Sequence, residues 1–396
     1  MTKPQGPELA RDGGAKPRVV YFVTEDWYFC SHRLPLAIAA REAGFDVTVI
    51  TRVRKHGRAI QDAGLRLIPL ELSRRGINPL SELRLTLRLT AIYQRERPDI
   101  VHHVAMKPVL HGSLAAWLAG TPHIVNAVAG LGWLFTSRSA GARILGTMIG
   151  AALRLLLNRG TVIVQNPDDQ AFLIRLGVEP SRLVLIRGSG VDTRRFAPQP
   201  EPAGTPTVIL ASRMLWNKGV GEFVEAARML RGRGVDARFV LVGDSDDENR
   251  AAISRTQLKT WHDENAVEWW GQRDDMPEVL AQSHIVCLPS YREGLPKVLL
   301  EAAANGRAVI TADTPGCREI VRDGINGLLV PAHDATALAD AMESLLADPE
   351  RRREMARRGI EIVRAKYSQE IVLAKTLDIY SEQLKRRPAR PAMDTP

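Results

Sequence analysis

The densest concentration of chemically useful residues is the run Tyr291-Arg-Glu-Gly-Leu-Pro-Lys-Val-Leu-Leu-Glu301, directly after the apolar, β-branched stretch Ile285 to Leu288. Gly294 permits a close backbone approach and Pro296 suits the first position of a helix, so residues 294 to 297 are expected to present free N–H groups at a helix N-terminus. Such an end binds phosphate or sugar oxygens. Glu293 stands before that helix and Glu301 about five residues into it, roughly 7.5 Å further along the axis, so both can address one extended ligand. With seven residues between them they are not an ordinary helix pair. The competing reading, two solvated surface carboxylates, loses ground because the pair flanks a strand-to-helix turn.

A second run, Ser212-Arg-Met-Leu-Trp-Asn-Lys-Gly219, follows another strand and places Arg213 and Lys218 at its end. Two cations there would neutralise a diphosphate leaving group without a metal, although loop cations are also often merely solvated. A third turn, Val242-Gly-Asp-Ser, offers Gly243 for close contact with a ligand. No turn matches G-x-G-x-x-G or the Walker loop, which disfavours dehydrogenases and P-loop NTPases. In the first half, Ser31 is expected to cap the first helix and to put His32 and Arg33 at its N-terminal end, suited to a phosphate; a capped surface helix is the alternative. His102 and His103 end a strand, but adjacent strand residues point to opposite faces, so they make a poor metal pair and one should be packed. Lys107 either binds an acceptor phosphate or is solvated.

The elements that must carry these turns alternate. Strands are expected at Val19–Thr24, Asp46–Ile50, Leu67–Leu70, Asp99–His103, His123–Val128, Thr161–Gln165 and Leu183–Ile186, with helical patterns between most of them. A loop with Pro198, Pro200, Pro202 and Pro206 interrupts the series. It restarts at Thr207–Ala211 and continues through Ala237–Val242, Val267–Trp270, Ile285–Leu288, Ala308–Thr311 and Gly327–Val330, then ends in helices at Asp334–Ala347, Pro349–Ala365 and Ser368–Lys385. Two successive βα series imply two α/β domains, each a doubly wound parallel sheet with its ligand crevice at the C-terminal strand ends. The expected divisions are a disordered tail 1–17, a first domain 18–198 joined by the helix 368–385, a second domain 205–367, and a disordered tail 386–396.

Composition sets the outer limits. The chain has 396 residues, 45% hydrophobic and 25% charged, which fits soluble α/β domains and excludes fibrous or wholly disordered classes. Cys30, Cys287 and Cys317 are far apart and odd in number, giving neither a disulfide framework nor a zinc spacing; a reducing cytoplasm fits. The N-terminus has no apolar signal region. Residues 1–200 carry 27 Lys+Arg against 15 Asp+Glu, whereas the remainder carries 27 against 30, so the whole excess of basic charge lies in the first half. That asymmetry calls for an anionic partner, and without a zinc-finger spacing or an RNP motif nucleic acid is excluded in favour of phosphate or membrane. The apolar stretch Arg138–Arg159 has four arginines and no acid. It reads either as an interfacial helix on anionic lipid or as a core helix with outward arginines, and the acid-free span Ala105–Pro167 tips the balance toward membrane.

Taken in order, Arg213 with Lys218, Gly243, the segment Trp270-Gly-Gln-Arg-Asp-Asp-Met276 and the Glu293/Glu301 pair resemble the donor-binding half of family 4 retaining glycosyltransferases of the GT-B fold. In the first half, Tyr28-Phe-Cys-Ser-His-Arg-Leu-Pro35, Arg74-Arg-Gly76, Asp99-Ile-Val-His-His103, Lys107-Pro108, Val125-Asn-Ala-Val-Ala-Gly-Leu-Gly132 and Gly188-Ser-Gly-Val-Asp192 resemble one branch of that family. Its members extend undecaprenyl-diphosphate-linked bacterial glycans, including N-acetylgalactosaminyl, O-antigen and capsule transferases.

The resemblance implies two Rossmann-like domains facing across a cleft, with the last helix crossing back to the first. It assigns Arg213, Lys218 and Glu293 to catalysis, Gly243, Gln272, Arg273, Gly294, Leu295, Pro296 and Glu301 to the donor, and Ser31, His32, Arg33, His103, Lys107, Gly130 and Gly132 to the acceptor or phosphate side. The implied reaction is metal-independent and needs no cofactor, the nucleotide sugar being a substrate. A sugar, such as that of UDP-N-acetylgalactosamine, passes to a polyprenyl-diphosphate-linked saccharide at the cytoplasmic membrane face. One departure is plain. Where the wider family carries a Gly-Gly loop after strand one and a histidine after strand five, this chain has Tyr28 to Arg33 and Val128-Ala-Gly-Leu-Gly132, so that histidine's role is not carried over. A nucleotide-sugar epimerase of similar fold and a non-catalytic glycan or lipid-diphosphate binding protein are the alternatives.

Overall fold

The computed structural model describes residues 16–72, 78–128 and 140–386. Expectations placed on the tails 1–15 and 387–396, on Arg74 to Gly76, on Gly130 and Gly132 and on Arg138 lie outside the described residues, as do the side chains of 140–148.

The β-branched runs form strands where their periodicity places them. These are β1 Arg18–Glu25, β2 Asp46–Arg52, β3 Arg66–Pro69, β4 Ile100–Val104, β5 His123–Val128, β6 Thr161–Val164, β7 Leu183–Leu185, β8 Thr207–Ala211, β9 Arg238–Val242, β10 Glu268–Trp269, β11 Ile285–Leu288, β12 Ala308–Ala312 and β13 Gly327–Val330. They make two parallel sheets, of order β3-β2-β1-β4-β5-β6-β7 and β10-β9-β8-β11-β12-β13. Both orders change direction after the first strand of their series, between β1 and β4 and between β8 and β11. At such a switch point the connections diverge to opposite faces and leave a crevice beyond the strand ends.

Covering both faces of a sheet with helices explains why the strands read as continuous apolar runs. All five residues of β8 are buried. Its Val208 and Leu210 pack into one cluster with Phe223, Val224 and Leu230 of the helix Val220–Gly232, while Ile209 and Ala211 join Val240 and Val279 on the opposite face. In the first sheet Val20, Phe22 and Val101 pack on Leu85, Leu89 and Tyr93 of the helix Pro79–Glu96. Each fully buried ring such as Phe223 contributes about 1.5–3 kcal/mol, so its truncation is among the simplest ways to break a layer.

The chain divides into two compact units. One comprises residues 1–164, 170–186 and 373–396; the other comprises 165–169 and 187–372. The proline-bearing stretch after residue 197 belongs to the second unit, where it is tied down. The buried Arg307 donates to the carbonyls of Gln199 and Pro200 at 2.8 and 2.9 Å, and Arg352 pairs with Glu201 at 2.7 Å.

Candidate functional site

In the second unit the turns after β8 and β11 are stitched together. Tyr291 N–H donates to the Asn217 carbonyl at 3.1 Å, and Lys218 Nζ forms a half-buried ion pair with the Glu293 carboxylate. Lys218 ends a single 3-10 turn, Trp216–Lys218, stopped by Gly219 at φ 73°. A Cβ on Gly219 would lie 2.3 Å from the Pro289 carbonyl oxygen, so only glycine lets the β8 turn rest on the end of β11.

The helix after β11 runs Lys297–Ala304 with Pro296, in extended backbone, at its N-cap. It therefore starts one residue later than the proline position predicts, because Pro296 supplies the cap rather than the first helical residue. The amides of Gly294 and Leu295 donate to no described residue. The loop that carries them is backed from three sides. Asn166 Nδ2 donates to the Gly294 carbonyl at 2.8 Å, Arg292 pairs with the fully buried Asp169 at 2.8 Å, and a Cβ on Gly316 would lie 2.5 Å from the Gly294 carbonyl oxygen. Gly188, at φ 69°, packs on Leu295. Glu301 lies on the helix, 7% exposed and paired with Lys297 at 2.9 Å; burial pushes its carboxyl above the usual range despite that lysine.

Arg213 Nη1 holds Asp246 at 2.8 Å. Gly243 has φ 137°, and a Cβ there would fall 1.8 Å from the Ser212 carbonyl oxygen, so its close contact is with the β8 turn itself rather than with open space for a ligand. Gln272 is exposed, and Arg273 pairs with Asp275, Nε to Oδ1 at 2.7 Å.

In the first unit several expectations change. Ser31 caps nothing: the chain forms an extra helix, Asp26–His32, directly after β1, and Ser31 lies exposed in its last turn. His32 ends that helix, its ring stacked on Tyr28 at 4.2 Å, and Arg33 is the buried junction to the helix Leu34–Glu42. The fully buried His103 is a core residue rather than an acceptor contact. Its Nδ1 meets Asn126 Oδ1 at 2.8 Å and its Nε2 meets the Tyr93 hydroxyl at 3.2 Å, so both ring nitrogens are used internally. Burial lowers its pKa to about 4. His102 is buried as well, hydrogen-bonded through Nδ1 to Tyr380 of the helix Gln369–Lys385. Lys107 is engaged by Glu82 at 2.7 Å, and Glu82 also holds His111 Nε2 at 2.8 Å. Between β4 and the helix Met106–Leu118, Ala105 adopts φ 74° and ψ 165°, a strained conformation at the switch point that costs on the order of 1–3 kcal/mol.

Sequence reading missed the backing set of Asn166, Asp169, Arg292 and Gly316. Its one signal is Asn166-Pro-Asp-Asp169, an Asx-rich stop directly after β6. It also missed the outer face of the helix Pro79–Glu96, where Leu80, Leu83 and Leu87 are each more than half exposed. Arg84 and Arg88 lie exposed beside them, while Glu82 turns inward to its ion pairs. The described part of the helix Ala140–Leu157 buries Leu153, Leu156 and Leu157 and exposes Arg154 and Leu155, so that part is a core-packed helix with an outward arginine. Among the described residues no helix is long and apolar enough to cross a membrane.

Chemically, the second unit sets two cations, two carboxylates and backbone amides that donate to no described residue on the segments that follow β8 and β11. Amides and cations suit an anion such as a diphosphate, and carboxylates suit hydroxyl groups. Residues 18–166 match the model described as glycosyl transferase 4-like, and residues 205–348 match the one described as glycosyl transferases group 1. A Campylobacter jejuni N,N'-diacetylbacillosaminyl-diphospho-undecaprenol alpha-1,3-N-acetylgalactosaminyltransferase is 29% identical over 89% of this chain and 95% of its own. An Escherichia coli UDP-Gal:alpha-D-GlcNAc-diphosphoundecaprenol alpha-1,3-galactosyltransferase is 25% identical over 77% of this chain and 81% of its own. The fold is shared with Anabaena HepE, whose crystal structure holds UDP and glucose, at a TM-score of 0.74 and 18% identity over 92% of this chain and 99% of that one.

Proposed function

Because the chain belongs to the group 1 glycosyltransferases of the family 4 type, we propose that it moves a hexose from a UDP-sugar to a saccharide carried on undecaprenyl diphosphate, retaining the anomeric configuration. The observation that carries the reading is the Lys218–Glu293 pair beside the amides of Gly294 and Leu295, which have no partner among the described residues. The first listed relatives named for lipid-diphosphate saccharides match over most of both chains and support the acceptor class.

In this reading Arg213 and Lys218 bind the donor diphosphate and stabilise the charge that develops as it leaves. Such electrostatic preorganisation is usually the largest single contribution to catalysis. Glu293 and the Gly294 and Leu295 amides hold the donor sugar, Glu301 the ribose hydroxyls, and Gln272 and Arg273 the surroundings of the base. The acceptor hydroxyl attacks on the face from which the diphosphate departs, and a donor phosphate oxygen takes its proton, so no enzyme nucleophile and no metal is required. The basic first unit takes the acceptor. The exposed Leu80, Leu83 and Leu87 beside Arg84 and Arg88 suit an anionic membrane surface at the cytoplasmic face, where such a lipid is presented.

The test is nucleotide release with a panel of UDP-sugars and GDP-mannose, each with and without an undecaprenyl-diphosphate sugar, in buffer containing a chelator. Release of UDP that depends on the lipid acceptor is expected. Donor conversion without acceptor makes the protein an epimerase, and binding without turnover makes it a non-catalytic binding module.

A further inference from the structure

Tyr291 stands two residues before Glu293, and both of its polar ends are spent on one neighbouring segment. Its amide donates to the Asn217 carbonyl at 3.1 Å, and its hydroxyl donates to Glu222 Oε1 at 2.6 Å. Asn217 immediately precedes Lys218, and Glu222 lies in the first turn of the helix Val220–Gly232 that follows. The tyrosine therefore grips the lysine turn on both sides, and the Lys218–Glu293 ion pair closes the span between the two grips. Two local costs are carried at this bridge. Glu222 Oε2 is buried and has no hydrogen-bond partner among the described residues, so the carboxylate is only half satisfied. His333, in the loop between β13 and the helix Ala335–Ala347, adopts the left-handed φ of 63°, and its ring lies against Tyr291 with centroids 3.6 Å apart. A left-handed residue other than glycine and an unsatisfied buried oxygen are both features that functional sites retain. The Tyr291 hydroxyl keeps its proton at neutral pH, since burial and the adjoining Glu222 carboxylate both raise its pKa. It is thus a permanent donor to Glu222.

We propose that Tyr291, tied to Glu222, is a positioning residue for cleavage of the donor bond: it fixes the Lys218 turn against the Glu293 turn and so sets where the lysine ammonium meets the donor diphosphate. The proposal rests on the donor role given to Lys218 above. Tyr291 touches no reacting atom in this account. Its leverage is geometric, because displacing a group by about 1 Å at a reacting centre costs up to about a hundredfold in rate. Removal of the hydroxyl leaves the Asn217 contact, the ring packing and the ion pair in place, so the turn loosens without coming apart.

The experiment compares the full-length protein with Y291F, with E222A and with E222Q, which keeps an acceptor for the hydroxyl, each also in a Lys218→Ala background. Melting temperature, UDP affinity by calorimetry and acceptor-dependent UDP release are measured. Y291F is expected to melt with the wild type, to bind UDP about three- to tenfold more weakly and to lose about tenfold in kcat. E222A should match it, and E222Q should recover most of both losses. In the Lys218→Ala background the same substitutions should change UDP affinity by less than about twofold, because the residue through which they act is gone. Wild-type UDP affinity and kcat in Y291F, whatever its melting temperature, would overturn the proposal. So would a loss of UDP affinity as large without Lys218 as with it, since a brace for the fold alone acts in either background. A wild type that binds no UDP would instead overturn the UDP-sugar reading on which the positioning role rests.

Discussion

Lys218 and Glu293 are 75 positions apart in sequence and meet as an ion pair because two strand-end turns converge at one switch point. Both were legible in the sequence as candidates, since charged side chains beside glycines after apolar strands have few structural uses there. What was not legible was which glycine serves the ligand and which serves the chain. Gly243 reads as a ligand contact, whereas its absent Cβ makes room for the Ser212 carbonyl. Gly243→Ala should consequently cost stability by about 2 kcal/mol or more and weaken donor binding through displacement of the Arg213 turn. Denaturant unfolding and UDP titration check this; an alanine variant as stable as the wild type would contradict it. His103 was equally deceptive. A polar residue at a strand end signals a crevice only if one face is open, and the partners that close it, Tyr93 and Asn126, come from a neighbouring helix and strand.

The strands were legible as elements because parallel strands buried on both faces leave unbroken apolar runs. Helix starts with a side-chain cap were also legible, as at Asp334, whose carboxylate accepts from Ala337 N–H at 2.8 Å. The helix Asp26–His32 was not, since its first residue spends its carboxylate on backbone amides from residues 54 and 56 instead of announcing a cap. Strand β4 has a further consequence for stability. His103 is held down to about 4 by burial, against about 6.5 in the unfolded chain. With the folded value below the unfolded one, its contribution is fully present above pH 6.5 and is lost as the pH falls toward 4, by up to about 3 kcal/mol. His102 is shifted the same way. The melting temperature of the wild type should thus fall more steeply between pH 7 and 4.5 than that of His103→Gln; parallel curves would show that the buried imidazole is not the cause.

Across the whole molecule the excess of basic charge lies in the first half, and the helix Pro79–Glu96 turns three leucines and two arginines outward there. Binding to vesicles containing phosphatidylglycerol should weaken with salt, since exposed cations are screened within about 8–10 Å. Replacing Leu83 and Leu87 with serine should reduce it about tenfold while preserving transfer to a short-chain acceptor in detergent. Cosedimentation decides; unaltered vesicle binding would move the membrane face elsewhere. The two α/β series, their order and the charge asymmetry were all readable from sequence, because each depends on periodicity or composition. The outward leucines were not, because a helix with apolar residues on two faces does not declare which face the core takes. The central claim is that the paired turns after β8 and β11 break the donor bond. Its most direct test is acceptor-dependent UDP release by Lys218→Ala and Glu293→Ala, each shown folded by its melting curve. A fall in kcat of about a hundredfold or more with the fold intact is predicted for the lysine variant, with a strong fall for the glutamate one. Wild-type turnover in either folded variant would contradict the account.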